Sequence, residues 1–476
     1  PSILRILTRY LPSLFPTDKK LPESTNNFHF NLHLGNSEFL QKVLDIPLQL
    51  DMPVTLNGYF DDKDQTLDVK GAFPQFYYKG SYYESGNLLL KNSGDRLEGL
   101  IRTTFQTNKG AMINLALNTL VKNDRLYTNL YWGNDAQVTY SGRIGAITQF
   151  SHPEKHRKLR TQIDLQPSKF IVNDTVWNIH PSTIRIERDT VEVSNFLFEH
   201  NDQFLKINGR LGKTEADSCL VDLQNINLQY VMDIIQFHAV KFYALVSGKV
   251  HLKHVLAEPD ILADLEAKDF SLNDALLGQA KIGGAWDKEI GGIRLNADIW
   301  NDTVFTRVNG YVSPKLKGLD LNIEAGGTDL AFLQPFIKGI FSDTHGAAYG
   351  NVRLFGPFSG LDLEGDVKAN MGFKVDILNT RFEASADSVH ITPGSFQFKY
   401  VQLKDPEGHT GTVDGELNHT KLKNLAYRFH FNARNMLVYS TDDATPEFPF
   451  YGHIYSTGNV SLRGGDNTLV VEGDVR

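Results

Sequence analysis

A short motif of the form G-x-V-x-L returns along this chain at a spacing of about a hundred residues, and a longer alternating run follows each copy. It stands as GKVHL from Gly248 with DLEAKDF after Pro259, as GNVRL from Gly350 with DLEGDV after Pro357, and as GNVSL from Gly458 with LVVEGDV behind it. A second motif keeps step with the first: INGRL from Ile207, VNGYV from Val308 and VDGEL from Val413. Related segments trail the last two, KLKGLDLNIEA from Lys315 and KLKNLAYRFHF from Lys421. Units of this kind cannot bury an apolar side alone and must stack on their neighbours.

Within a unit the apolar residues alternate with polar ones. From Gly350 to Phe373, Val352, Leu354, Leu361, Leu363, Val367 and Ala369 fall on one face. Arg353, Asp362, Glu364, Asp366 and Lys368 fall on the other. Gly350, Gly356, Gly360 and Gly365 mark turns or sharp bends. The same period runs through TIRIE from Thr183, IRLNADIW from Ile293, LDLNIEA from Leu319 and FQFKYVQL from Phe396. The fold class is therefore all-β, an elongated repeat of short antiparallel strands with one apolar face and few short helices. Residues 1–22 form an amphipathic N-terminal segment and 23–141 a first degenerate β unit. Residues 142–247, 248–349 and 350–457 are repeat units, and 458–476 begin another. The chain starts with proline and stops inside a strand-like run, so it reads as a piece of a longer protein.

Helical spacing is confined to three places. Residues 227–243 fit one amphipathic helix, and LAFLQPFIKGIF from Leu330 is its counterpart, with Pro335 at a start or break. In the first fifteen residues Ile3, Leu7, Leu11 and Leu14 form a stripe with Arg5 and Arg9 outside it. These helices are expected to cover ends of the sheet; membrane contact by the first is the alternative.

The formal charge of −8, from 56 acidic and 48 basic residues without a basic cluster, speaks against a nucleic-acid partner. Cys219 is the one cysteine, which excludes an internal disulfide and a thiolate cluster. No nucleotide-binding, nucleophile-elbow or calcium motif occurs, so no catalytic residue, metal ligand or cofactor is assigned. His152 with His156, and His251 with His254, have helical metal spacing but lie in turn or strand sequence. The carboxylate pairs Asp264 with Glu266 and Asp362 with Glu364 suit a glycosidase in kind. Their recurrence from unit to unit marks a solvated sheet face instead. Tyr77, Tyr78, Tyr82 and Tyr83 form a dense aromatic cluster, read as core or groove-mouth packing, and the NDT sequons at Asn173 and Asn301 stand without other secretory signs.

The series of G-x-V-x-L, a proline turn, ITPGSFQF from Ile391, the long run from Leu403 to Thr441 and FYGHIYSTGNVSLRG closely resembles the translocation and assembly module family, TamB, within the AsmA-like bridge proteins, in the form found in Bacteroidetes. The likeness is strongest from Gly248 to Arg476. It implies a β-taco trough in the periplasm of a diderm bacterium, anchored in the inner membrane by a preceding helix. It also implies docking to an Omp85-type outer-membrane barrel through later regions. Its implied work is moving phospholipid along the hydrophobic groove, with acyl chains as the bound partner. The lining then comprises Val250, Leu252, Leu265, Val352, Leu354, Leu361, Leu363, Val367, Val460, Leu462, Leu469 and Val471. A scaffold or chaperone for outer-membrane β-barrel assembly by β-augmentation is the alternative, and a secreted adhesin or polysaccharide-active β-repeat protein a third.

Overall fold

The computed structural model describes the chain except for residues 1, 16–24, 43–44, 108–109, 135–139, 153–157, 173–174, 230–240, 274, 339–340, 443–449 and 466–467. His156, Asn173 and most of the 227–243 helix lie outside the described residues. Among the described residues thirty strands join by antiparallel pairing into one sheet, and helix is confined to short pieces. Phe242 and Tyr243, assigned to a helix by spacing, instead open the strand Phe242–Lys253. The 330–341 segment is a 3-10 turn, Leu330–Leu333, running into the helix Gln334–Ile337, with Pro335 in its first turn where its missing N–H costs nothing.

Two compact units divide the contacts, residues 1–222 with 252–258, and residues 223–251 with 259–476. In the first unit the helix Ser2–Tyr10 lies on the apolar face of the sheet. Ile6, Tyr10 and Leu11 are buried with Phe60, Leu67, Leu97 and Val121, four strands' worth of inward side chains. Ile6 and Tyr10, which the sequence stripe omitted, are thus its deepest residues, and Leu7 and Leu14 pack beside them. The arginines point to protein. Arg5 sits 3.5 Å from the buried Asp62 carboxylate, and Arg9 donates to Gln65 Oε1 at 2.9 Å and to the Gly94 carbonyl at 3.2 Å. The helix therefore covers the sheet, as expected of it. The tyrosine cluster splits between faces: Phe76 stacks on Tyr83, which leans on Phe105, while Tyr77 meets Tyr82.

The second unit contains the strands Asp260–Leu272, Ala275–Asp287, Gly292–Asn301, Val304–Ser313, Gly318–Asp329 and Phe341–Pro357, each antiparallel to the one before. Asp362–Val375, Thr380–Thr392, Ser395–Lys404, Thr410–Thr420, Lys423–Thr441, Gly452–Gly465 and Thr468–Val475 continue the order. The latter part coils tightly. Asn379 donates to the Ser440 carbonyl at 2.8 Å, and Lys421 reaches Asp362 at 3.2 Å, so strands three apart in order touch at both ends.

The polar-glycine pairs of the repeat have a structural cause. Asn195, Asn225, Tyr400 and Asn435 adopt left-handed backbone angles inside strands, three of them at shifts of register. Such a bulge frees a backbone N–H from the ladder. Each N–H is satisfied by a side chain from the next strand: Asn208 at 3.2 Å, Ser247 at 2.9 Å, Asp414 at 2.7 Å and Thr457 at 2.8 Å. All four acceptors stand just before a glycine, which is the N-G, S-G, D-G and T-G of the repeated motifs. The motif glycines Gly350 and Gly365 are not turns, a correction to the sequence reading. Both lie mid-strand with φ of 138° and 149°, on either side of the paired residues Asn351 and Asp366.

Candidate functional site

One face of the second unit is apolar in unbroken rows that run across the strands. Register carries one row from Leu265 through Ile282, Ala297, Val308 and Ile323 to Val352. A parallel row joins Leu295, Gly310, Leu321, Leu354 and Leu363. A third joins Val367, Val389, Phe398, Gly415, Phe429, Leu462 and Val471. Because side chains two apart share a face, the three rows belong to the same surface.

Two buried clusters stand on this face. Ala244, Ala267, Ala280 and Ile299 form one, with Leu265, Ile282 and Val308 at its edge. Phe382, Val389, Ile391, Val401, Leu403, Val413 and Met436 form the other, with Val352, Leu363 and Val367 at its edge. Between them Ile293, Leu295, Val312, Leu319, Leu321 and Leu354 are half-buried and belong to neither cluster.

The proposed lining residues are thus brought together unequally. Leu265, Val352, Leu363 and Val367 border dry clusters, Leu354 lies in the gap, and Leu361 is half-buried just before its strand begins. Val250 is half-buried in the strand Phe242–Lys253. Leu252 falls in the first compact unit. Val460 and Leu462 are half-buried and pair with Phe431 and Phe429. Val471 is exposed, and Leu469 pairs with Gly464. Beyond the expected set, Ile293, Leu295, Val312, Leu319 and Leu321 join this face from IRLNADIW, VNGYV and LDLNIEA. The same alternation marks those segments, so the signal was present.

The opposite face is charged and paired across strands. Arg353 bridges Asp320 at 2.7 Å and Glu364 at 2.8 Å, and Arg307 lies 3.2 Å from Glu324. These half-exposed pairs are screened by water and add little to stability. Asp264 and Glu266 are exposed there. Asp362 departs from the alternation: as the first residue of its strand it is buried, taking N–H bonds from Leu363 and Gly394 beside the Lys421 ammonium. It forms a structural ion pair with Lys421, whereas Glu364 is held by Arg353. Among the described residues no group of three or more His, Cys, Asp or Glu is placed to hold a metal ion.

Acid stability follows from three buried groups. Burial pushes the Asp362 and Asp405 carboxyls up, but the Lys421 ammonium at Asp362, and the Leu437 N–H and His409 at Asp405, outweigh it and hold both below the ordinary aspartate value. Their contribution is complete above about pH 4 and disappears as the pH falls through the lowered folded values. His419 is shifted down by burial and by Lys421 against the pull of Asp362, and its Nδ1 accepts the Leu422 N–H at 3.2 Å. Its unfolded form therefore takes up a proton first, and stability declines as the pH falls below about 6.5. Urea midpoints from pH 7.5 to 3 should fall in two stages, and His419→Gln should remove the earlier one. A flat profile between pH 7 and 5 in the parent contradicts the assignment to His419.

Comparison with protein-family models, curated proteins and solved structures returns no match. Among the described residues no helix is long and apolar enough to cross a membrane.

Proposed function

We propose that this chain is a non-enzymatic segment of a periplasmic bridge that carries phospholipid between the inner and outer membranes, the acyl chains lying on its apolar face. The observation that carries this reading is the half-buried gap between the two dry clusters. Ile293, Leu295, Val312, Leu319, Leu321 and Leu354 present aliphatic surface in register across four strands, with neither charge nor protein cover from either cluster. Each enclosed CH₂ contributes about 0.8 kcal/mol, so an acyl chain of ordinary length has ample driving force to occupy such a strip. A uniform aliphatic lining also suits movement, because it offers no deep local minimum. Partners, by the resemblance of the motifs, are an Omp85-type barrel and the inner membrane through regions beyond this segment.

Mass spectrometry of the chain purified without detergent from a diderm host should find phospholipid at near one molecule per chain or more. Protein free of lipid, and unable to take up a fluorescent acyl probe, overturns the proposal.

A further inference from the structure

Antiparallel pairing returns the chain to the same margin of the second unit at every second strand junction. The turns after Asp287, Ser313, Pro357 and Thr420 share one margin. They also touch: Phe358 N–H donates to the Lys317 carbonyl at 2.8 Å, and the Lys421 side chain lies against Gly360.

This margin carries the K-L-K sequence twice, at 315–317 and 421–423, with both leucines in turns outside the ladder. Leu316 is 58% exposed and Leu422 38%, and Phe358 between them is 48% exposed. Lys315 and Lys317 are exposed beside these side chains, and Lys421 adds its ammonium next to Asp362.

The second turn is also strained. Lys421 and Leu422 have φ of 52° and 62°, the two central positions of a tight hairpin turn that favours Asn-Gly. A leucine at positive φ is disfavoured, and this one still leaves 38% of its surface exposed. The opposite margin has turns rich in acid, with Asp302, Asp376, Glu407 and Asp442 against Lys338 and Lys404.

We infer that the K-L-K margin docks on the surface of an anionic phospholipid bilayer. Lys315 and Lys317 meet lipid phosphates, and Leu316, Phe358 and Leu422 enter the interfacial layer. The acidic margin is repelled by the same surface, which sets the orientation of the unit. The inference does not depend on acyl chains lying in the groove.

Flotation with vesicles of phosphatidylcholine and phosphatidylglycerol at 3:1, against phosphatidylcholine alone, tests it. Binding is expected with the mixed vesicles, weakening at high salt. The Lys315→Gln, Lys317→Gln double variant should lower the partition coefficient about 25-fold, fivefold for each lysine. The same charge change at Lys249 and Lys268, exposed in mid-strand, should have little effect. Leu422→Gly removes the strain, so its unfolding midpoint should hold or rise while vesicle binding falls about fivefold. Equal binding to both vesicle types, no binding to either, or full binding by the lysine variant or by Leu422→Gly overturns the inference.

Discussion

Gly365→Val is expected to lower the stability of the second unit by about 3 kcal/mol or more, at the upper end of what single substitutions do. A Cβ at this position would stand 2.1 Å from the Asn351 carbonyl oxygen and 2.9 Å from the Val352 Cα, both backbone atoms of the paired strand. No side-chain rotation relieves such a contact. The backbone angle of 149° adds strain for any L side chain, and β-branching narrows the choice further. Strand separation would break the row that joins Val352 to Ile391 through Gly365. Because stability in repeat chains is a sum of local and neighbour contributions, the loss should concentrate near the change. Hydrogen exchange should report faster opening of Phe341–Pro357 and Asp362–Val375, with the first compact unit unaltered. Asn351→Val, exposed beside the same junction, should shift stability by less than about 0.5 kcal/mol. Equal protection in the Gly365→Val variant and the parent refutes the close-approach account.

How much of this was legible beforehand follows from which physical signal each feature leaves. Period-two alternation is a local property, so the all-β class and the shared face of Val352, Leu354, Leu363 and Val367 could be read from residue order alone. Repeat spacing exposed the polar-glycine pairs, but not their purpose. The bulge at Asn195 and its acceptor Asn208 lie on different strands, and nothing in either segment names the partner. Asp362 was misplaced for a related reason. Alternation assigns it to solvent, whereas its burial depends on the turns near Gly394 and Lys421, brought in by coiling of the sheet. The helix Ser2–Tyr10 shows the same limit. Its spacing indicated an apolar stripe, but the deepest residues were fixed by the shape of the surface offered by Phe60, Leu97 and Val121. The division of the apolar face into dry clusters and an open gap is likewise tertiary. Ala280 and Leu321 alternate equally well, yet one is buried and the other half-exposed, because only the sheet's own curvature determines which positions are covered.

Leu354→Asp separates a groove that holds lipid from one closed on its own side chains. In the gap, Leu354 is half-buried between Leu321 and Leu363 and outside both clusters, so an aspartate there keeps access to water when the groove is empty. The fold should lose less than about 2 kcal/mol. An acyl chain on that spot meets a carboxylate it cannot hydrate, and it also loses several CH₂ contacts of about 0.8 kcal/mol each. Together these should lower lipid occupancy about tenfold or more, measured as phospholipid per chain after purification. Leu403→Asp is the contrast. Leu403 is 8% exposed inside the aromatic-rich cluster, and an unpaired charge there should unfold the surrounding strands outright. If Leu354→Asp instead unfolds as Leu403→Asp does, the gap is a continuous dry core. If it folds and phospholipid per chain is unchanged, the gap is not a lipid-binding strip. Loss of lipid with retention of fold is the outcome that an open, half-buried aliphatic strip requires.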